Sequence, residues 1–238
     1  MKLAGSTWSA SANTLRSSAL ALCYSAAEYC IPVWSCSAHT SQVDMQLNST
    51  MHLISVTLRS TPLPWLPVLS NIEPPGLRRK AATDKLVEKI VKHDSLPIQP
   101  ILSPPLLRLT SGKPLWLDLQ PVDINSRWRH NWKSAQVVNS HLACDPTKPG
   151  SDLPRQQWSL LNRFHTEPQG HCGTCRRKWR LADTDLCPCG KTQTMSHTVE
   201  SYPLTKLNGG LYRLHSAGED AVSWLTNYGS WHAYEKKK

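Results

Sequence analysis

Phenylalanine is nearly missing from this chain: 238 residues hold one, against ten tryptophans. Large aromatic burial must therefore come from indole rings. Long apolar runs are missing as well. No window approaches the ~18 apolar residues of a membrane span, and the first ten residues lack the apolar stretch of a secretory signal. These absences predict an intracellular chain, nuclear or cytoplasmic, not secreted and without a membrane partner. Familiar catalytic signatures are also lacking. There is no Walker-type phosphate loop and no Gly-x-Ser-x-Gly elbow, and His, Asp and Ser are scattered at no spacing that argues for a triad. Nothing marks a small-molecule substrate.

Acids are scarce beside bases, 17 against 27, for a net charge of +10. The imbalance is uneven. Residues 1–70 hold three bases and two acids, which leaves 24 bases against 15 acids for the rest. Such a surplus fits a polyanionic partner, RNA or DNA, because Lys and Arg displace counterions from phosphates. A solvated basic surface fits the charge equally well.

Proline, by contrast, is plentiful. Eighteen of them, in a chain that is 39% hydrophobic, favour short helices joined by extended loops around one sizeable core or two small ones. The expectation is a mainly α fold. Asn13 reads as an N-cap, followed by Leu15, Ala19, Leu22, Ala26 and Cys30 at helical spacing, until Pro32 ends the run. A second helix is predicted over 38–58, with Val43, Leu47, Met51, Ile54 and Leu58 on its buried face. "TPLPWLPVLSNIEPPG" (61–76) reads as a connector with a short helix around Trp65. A third helix over 75–93 starts basic and carries a Leu86, Val87 and Ile90 seam. These helices form the expected first domain, 1–94.

Residues 95–122, with six prolines from Pro97 to Pro121, read as a semi-rigid linker. A small basic helical module, 123–238, follows. In it Asp123 caps a helix whose Trp128 and Trp132 share a face. Another helix spans 154–165 with Trp158, Leu161 and Phe164, and a last one lies near 219–228 around Trp224.

Six metal-ligand types cluster in that module: His171, Cys172, Cys175, Cys187, Cys189 and His197. Cys172-Gly-Thr-Cys175 has the commoner two-residue spacing, with Gly173 to let the turn close. Cys187-Pro-Cys189 is tighter, and Gly190 helps the chain fold back. The cytosol-like context argues against disulfides for the eight cysteines and leaves them free, buried or metal-bound. The sequon Asn48-Ser49-Thr50 is then expected to stay unmodified. Three outcomes are open: Cys187, Cys189 and His197 with water or a distant ligand, a site of Cys172, Cys175, Cys187 and Cys189, or no metal. Beside the cluster, Arg176, Arg177, Lys178 and Arg180 surround Trp179. Cations interleaved with a stackable indole suit single-stranded nucleic acid. Trp179 in a core, with the bases solvated, is the plainer alternative.

Longer stretches resemble a known family. "TMSHTVESYPLTKLNGGLYRLHSAGEDAVSWL" (194–225) is similar to the C-terminus of reverse transcriptases from non-LTR, jockey-like LINE retrotransposons. "LPRQQWSLLNRFHTEPQGHC" (153–172) resembles the family segment before that terminus, and "SALALCYSAAEYCIPVW" (18–34) and "LPWLPVLSNIEPPGLRRKAAT" (63–83) resemble its thumb-like region. Nearly the whole chain is covered.

The resemblance implies a helical thumb-like bundle followed by a CCHC-type zinc knuckle with Cys187, Cys189 and His197 as ligands. Tyr202 stands where the family has its last Cys, so the knuckle is degenerate; Cys175 does not match the family pattern but is a local candidate to supply the lost thiolate. The family's polymerase uses paired palm carboxylates to hold two metal ions. No Asp-Asp pair occurs here, and the resemblance places residue 1 after the palm.

The expected function is a non-catalytic C-terminal fragment of an RNA-directed DNA polymerase that retains nucleic-acid binding, with Arg176, Arg177, Lys178, Trp179 and Arg180 in contact. Two other readings stay open. One is a decayed or host-derived element that mediates protein contacts or has no selected role. The other is part of an active reverse transcriptase whose palm is supplied by a longer product.

Overall fold

A computed structural model describes residues 10–29, 31–35, 37–92, 123–147, 153–166, 173–178, 180 and 182–235. Within these residues the protein is mainly α, with no β-strand and one isolated antiparallel bridge, Leu186 to Thr192.

Helix α1 (Ala12–Ala19) is capped by Ser11, whose side chain accepts from the Thr14 N–H, so the helix starts ahead of the expected Asn13. A π-helical turn, Leu20–Tyr24, then leads into α2 (Ser25–Glu28). That turn overturns the expected face. A π-turn spaces stacked residues five apart instead of four, so after Leu15 and Ala19 the next buried side chain is Tyr24, while Leu22 is 68% exposed and Ala26 is exposed. The helix also ends before Pro32. Tyr29 turns to extended backbone, and Pro32 sits inside α3 (Ile31–Trp34), in a first turn that tolerates its missing N–H.

Helix α4 (Thr40–Ser55) is shorter than predicted. Val56 adopts a left-handed conformation (φ 54°) that stops it, and its N–H donates to the His52 carbonyl. Leu47, Met51 and Ile54 are buried as expected, whereas Leu58 falls beyond the helix and is 37% exposed. The proline-rich connector forms α5 (Trp65–Ser70), stopped by a left-handed Asn71. α6 (Pro75–Lys92) buries Thr83 and Val87 and leaves Leu86 exposed, so its apolar seam is narrower than expected; the Ile90 side chain lies outside the described residues. Its basic start is internally neutralised. Arg78 pairs with Glu28 and with Glu73 (2.6 Å), and Arg79 pairs with Asp44. These contacts hold α6 against α2 and α4.

The expected linker, 95–122, lies outside the described residues. Beyond it, Asp123 caps α7 (Ile124–Ser134) by accepting from the N–H groups of Asn125 and Ser126. Trp128 and Trp132 are both buried, one turn apart. α8 (Arg155–Thr166), α9 (Gly173–Lys178), α10 (Gly210–His215) and α11 (Glu219–Glu235) complete the order. Trp158, Leu161 and Phe164 of α8 share a core with Met195, Val199, Leu214 and Leu225.

The parts on either side of residues 95–122 meet at Trp65. Its ring lies edge-on to Trp132 at 4.8 Å and parallel to His165 at 5.9 Å, and its Nε1 donates to the Val138 carbonyl at 3.0 Å. Asn162 Nδ2 donates to the Ser55 carbonyl at 2.7 Å, tying α8 to the end of α4.

Candidate metal centre and its basic neighbour

Residues 185–193 form a small hairpin. The Cys187 N–H donates to the Lys191 carbonyl at 2.7 Å, and the Gly190 N–H returns to the Cys187 carbonyl at 2.8 Å. Gly190 needs its φ of +81° to make that return, a conformation open to glycine at little cost. The Gln193 N–H closes the base on the Asp185 carbonyl at 2.9 Å. Both cysteines therefore sit at the tip.

His197 arrives from the next segment. Met195 and Val199 are fully buried, and these two core anchors fix the short helical turn between them. The His197 N–H donates to Thr194 Oγ1 at 3.0 Å. Its imidazole Nε2 then lies 3.1 Å from Cys189 Sγ.

The ligand atoms of Cys187, Cys189 and His197 all lie within 4.8 Å of one another. A zinc tetrahedron built from Zn–S of ~2.3 Å and Zn–N of ~2.0 Å has edges of about 3.5–3.8 Å. The ligand atoms thus need to close by about 1 Å at most, and the Cys189–His197 pair, at 3.1 Å, to open slightly. Two thiolates and an imidazole are a borderline-soft donor set of the kind zinc takes. The group fits a metal, and no ion's identity follows from the geometry.

The two thiols are not equivalent. Burial raises the pKa of Cys187, whereas the Lys191 backbone N–H lowers that of the exposed Cys189 by stabilising its thiolate. No fourth His, Cys, Asp or Glu joins the group among the described residues. Tyr202 follows the turn directly, its N–H donating to the His197 carbonyl at 2.8 Å and its ring 6.3 Å from the imidazole. Cys172 and the side chain of Cys175 lie outside the described residues.

The segment holding those two cysteines is nevertheless tied to the hairpin. The Gly173 N–H donates to the Gln193 carbonyl at 2.6 Å, and Gly173 is buried against the Asp185 backbone. Gly173 was expected to let a turn close. It opens α9 instead, at a spot where any side chain would overlap Asp185. The sequence signal was a glycine between two cysteines; its long-range partner could not be read from spacing.

α9 carries the basic run. Arg177 and Lys178 are exposed, Arg176 is half-buried, and Arg180 follows exposed with a left-handed backbone (φ 55°). None of the four pairs with an acid among the described residues, unlike Arg78 and Arg79. Trp179 lies outside the described residues. Lys191, at the hairpin tip, adds a further exposed cation.

A feature that sequence reasoning missed is a histidine pair, His165 buried and His215 half-buried. His165 Nε2 meets His215 Nδ1 at 2.9 Å beneath Trp65. Among the described residues, no helix is long and apolar enough to cross a membrane. Compared with known proteins, the chain matches no family model, no curated protein and no solved structure.

Proposed function

We propose that the chain is a non-catalytic nucleic-acid-binding module similar to the C-terminal region of a non-LTR retrotransposon reverse transcriptase. Cys187, Cys189 and His197 hold one zinc ion, and water takes the fourth position that Tyr202 does not fill. The ion would supply cross-linking of the hairpin to the core and no chemistry on a substrate. Arg176, Arg177, Lys178 and Arg180 bind phosphates of RNA or DNA, and Trp179 offers a plane for base stacking.

The observation that carries this reading is one juxtaposition. Three ligand atoms converge on a hairpin whose base also anchors a short helix of cations that meet no acid among the described residues. A purely solvated basic surface needs no such anchorage.

Purified protein should contain about one equivalent of zinc, and Cys189→Ser should lose most of it. With four phosphate contacts, the log–log salt slope for a single-stranded oligonucleotide should be about −3, from roughly −0.7 per phosphate. Replacing the four bases with Ala should weaken binding for any sequence alike. Zinc well below one equivalent removes the metal reading. Binding that ignores salt, or no binding at low salt, removes the nucleic-acid reading.

A further inference from the structure

We infer that metal occupancy at Cys187, Cys189 and His197 controls the grip of the basic helix α9 on nucleic acid, through Gly173. This rests on the nucleic-acid reading above and adds its regulation.

The link between the two sites runs along the backbone. The hairpin 185–193 is short, and a two-stranded hairpin is marginal in water on its own. Its internal ties are the bonds Cys187 to Lys191, Gly190 to Cys187 and Gln193 to Asp185, with the bridge Leu186 to Thr192. Its tip carries two of the three ligands, and the third stands on a segment pinned to the core by Met195 and Val199. A bound ion joins the tip to the core by a third point of attachment. Without it, the tip is free to open.

The base of that hairpin is what α9 stands on. Gly173, the first residue of α9, donates to Gln193 and packs on Asp185 so closely that no side chain fits. Gln193 is itself bonded to Asp185. The phosphate-binding cations begin three residues after Gly173, on a helix of six residues too short to hold its shape unaided. Ordering the hairpin therefore orders Arg176, Arg177 and Lys178, and a phosphate chain bound to these residues favours the ordered hairpin in return. By linkage the two affinities rise by one shared factor.

The full-length chain, loaded with one equivalent of zinc or stripped with EDTA, is titrated against a fluorescein-labelled single-stranded RNA of mixed sequence. Zinc should tighten binding about tenfold, within the usual range of coupling between sites. Backbone amide exchange at 173–178 should slow on zinc addition in the absence of RNA. Gly173→Ala should still bind zinc but give one RNA affinity with or without it, a loss of coupling that plain destabilisation does not produce. If G173A fails to fold, the two wild-type measurements decide. Equal RNA affinity in both metal states overturns the inference, as does a lack of zinc binding. If the wild-type chain binds no RNA in either state, the nucleic-acid reading fails. Amide exchange then decides the link alone, and unchanged protection at 173–178 overturns it.

Discussion

At His165 the interior sets the protonation state. The ring is buried, its Nδ1 meets no partner among the described residues, and its Nε2 is shared with His215. Burial, and secondarily the charge His215 would carry, lower its pKa to about 3; burial lowers that of His215 as well. His165 therefore stays neutral in the folded chain at pH values where the unfolded chain takes up a proton, below about pH 6.5. This contribution is present in full above that point and is lost as pH falls towards 3. A fully linked proton is worth about 1.4 kcal/mol per pH unit, so stability should drop by roughly 1–2 kcal/mol between pH 6 and pH 5. Urea midpoints at the two pH values measure this. His165→Gln should flatten the profile, and an unchanged slope in that variant would assign the effect elsewhere.

Among the elements, the first helix separates what sequence can and cannot carry. Leu15 and Ala19 were legible because helical spacing holds through them. The switch from Leu22 to Tyr24 was not, because a π-turn follows from packing rather than from periodicity. Tyr24 lies inward with the Arg78 guanidinium 5.3 Å from its ring centre, and α6 must dock before that site exists. The cap at Asp123 and the Trp128–Trp132 pair were legible for the converse reason, since both are set within one or two turns of chain. At the candidate site, the grouping of Cys187, Cys189 and His197 could be read from Cys and His spacing, while the docking of Gly173 on Asp185 could not. Tyr24→Ala should cost about 3–5 kcal/mol, as large buried aromatics do. Leu22→Ala should stay within about 0.5 kcal/mol, as at an exposed site. Chemical denaturation of the two variants checks the register; equal losses would restore the uninterrupted helix.

Across the whole molecule, charge and packing are divided between the two sides of residues 95–122. Arg78 and Arg79 are absorbed by Glu28, Glu73 and Asp44, while the bases on α9 meet no described acid. Packing nevertheless runs across the divide through Trp65, which has no exposed surface and touches Trp132, His165 and the Val138 carbonyl. The tie from Asn162 to Ser55 is one hydrogen bond beside it, worth about 1 kcal/mol net. Removing an indole from such a site costs about 3–5 kcal/mol, several times what that hydrogen bond supplies. Wild-type unfolding should accordingly be one transition, with far-ultraviolet dichroism and tryptophan fluorescence coincident. Trp65→Ala should lower stability by about 3–5 kcal/mol and split those probes, because each side keeps its own buried cluster. A variant that loses stability with the two probes still coincident would show that the sides are joined mainly through contacts other than Trp65.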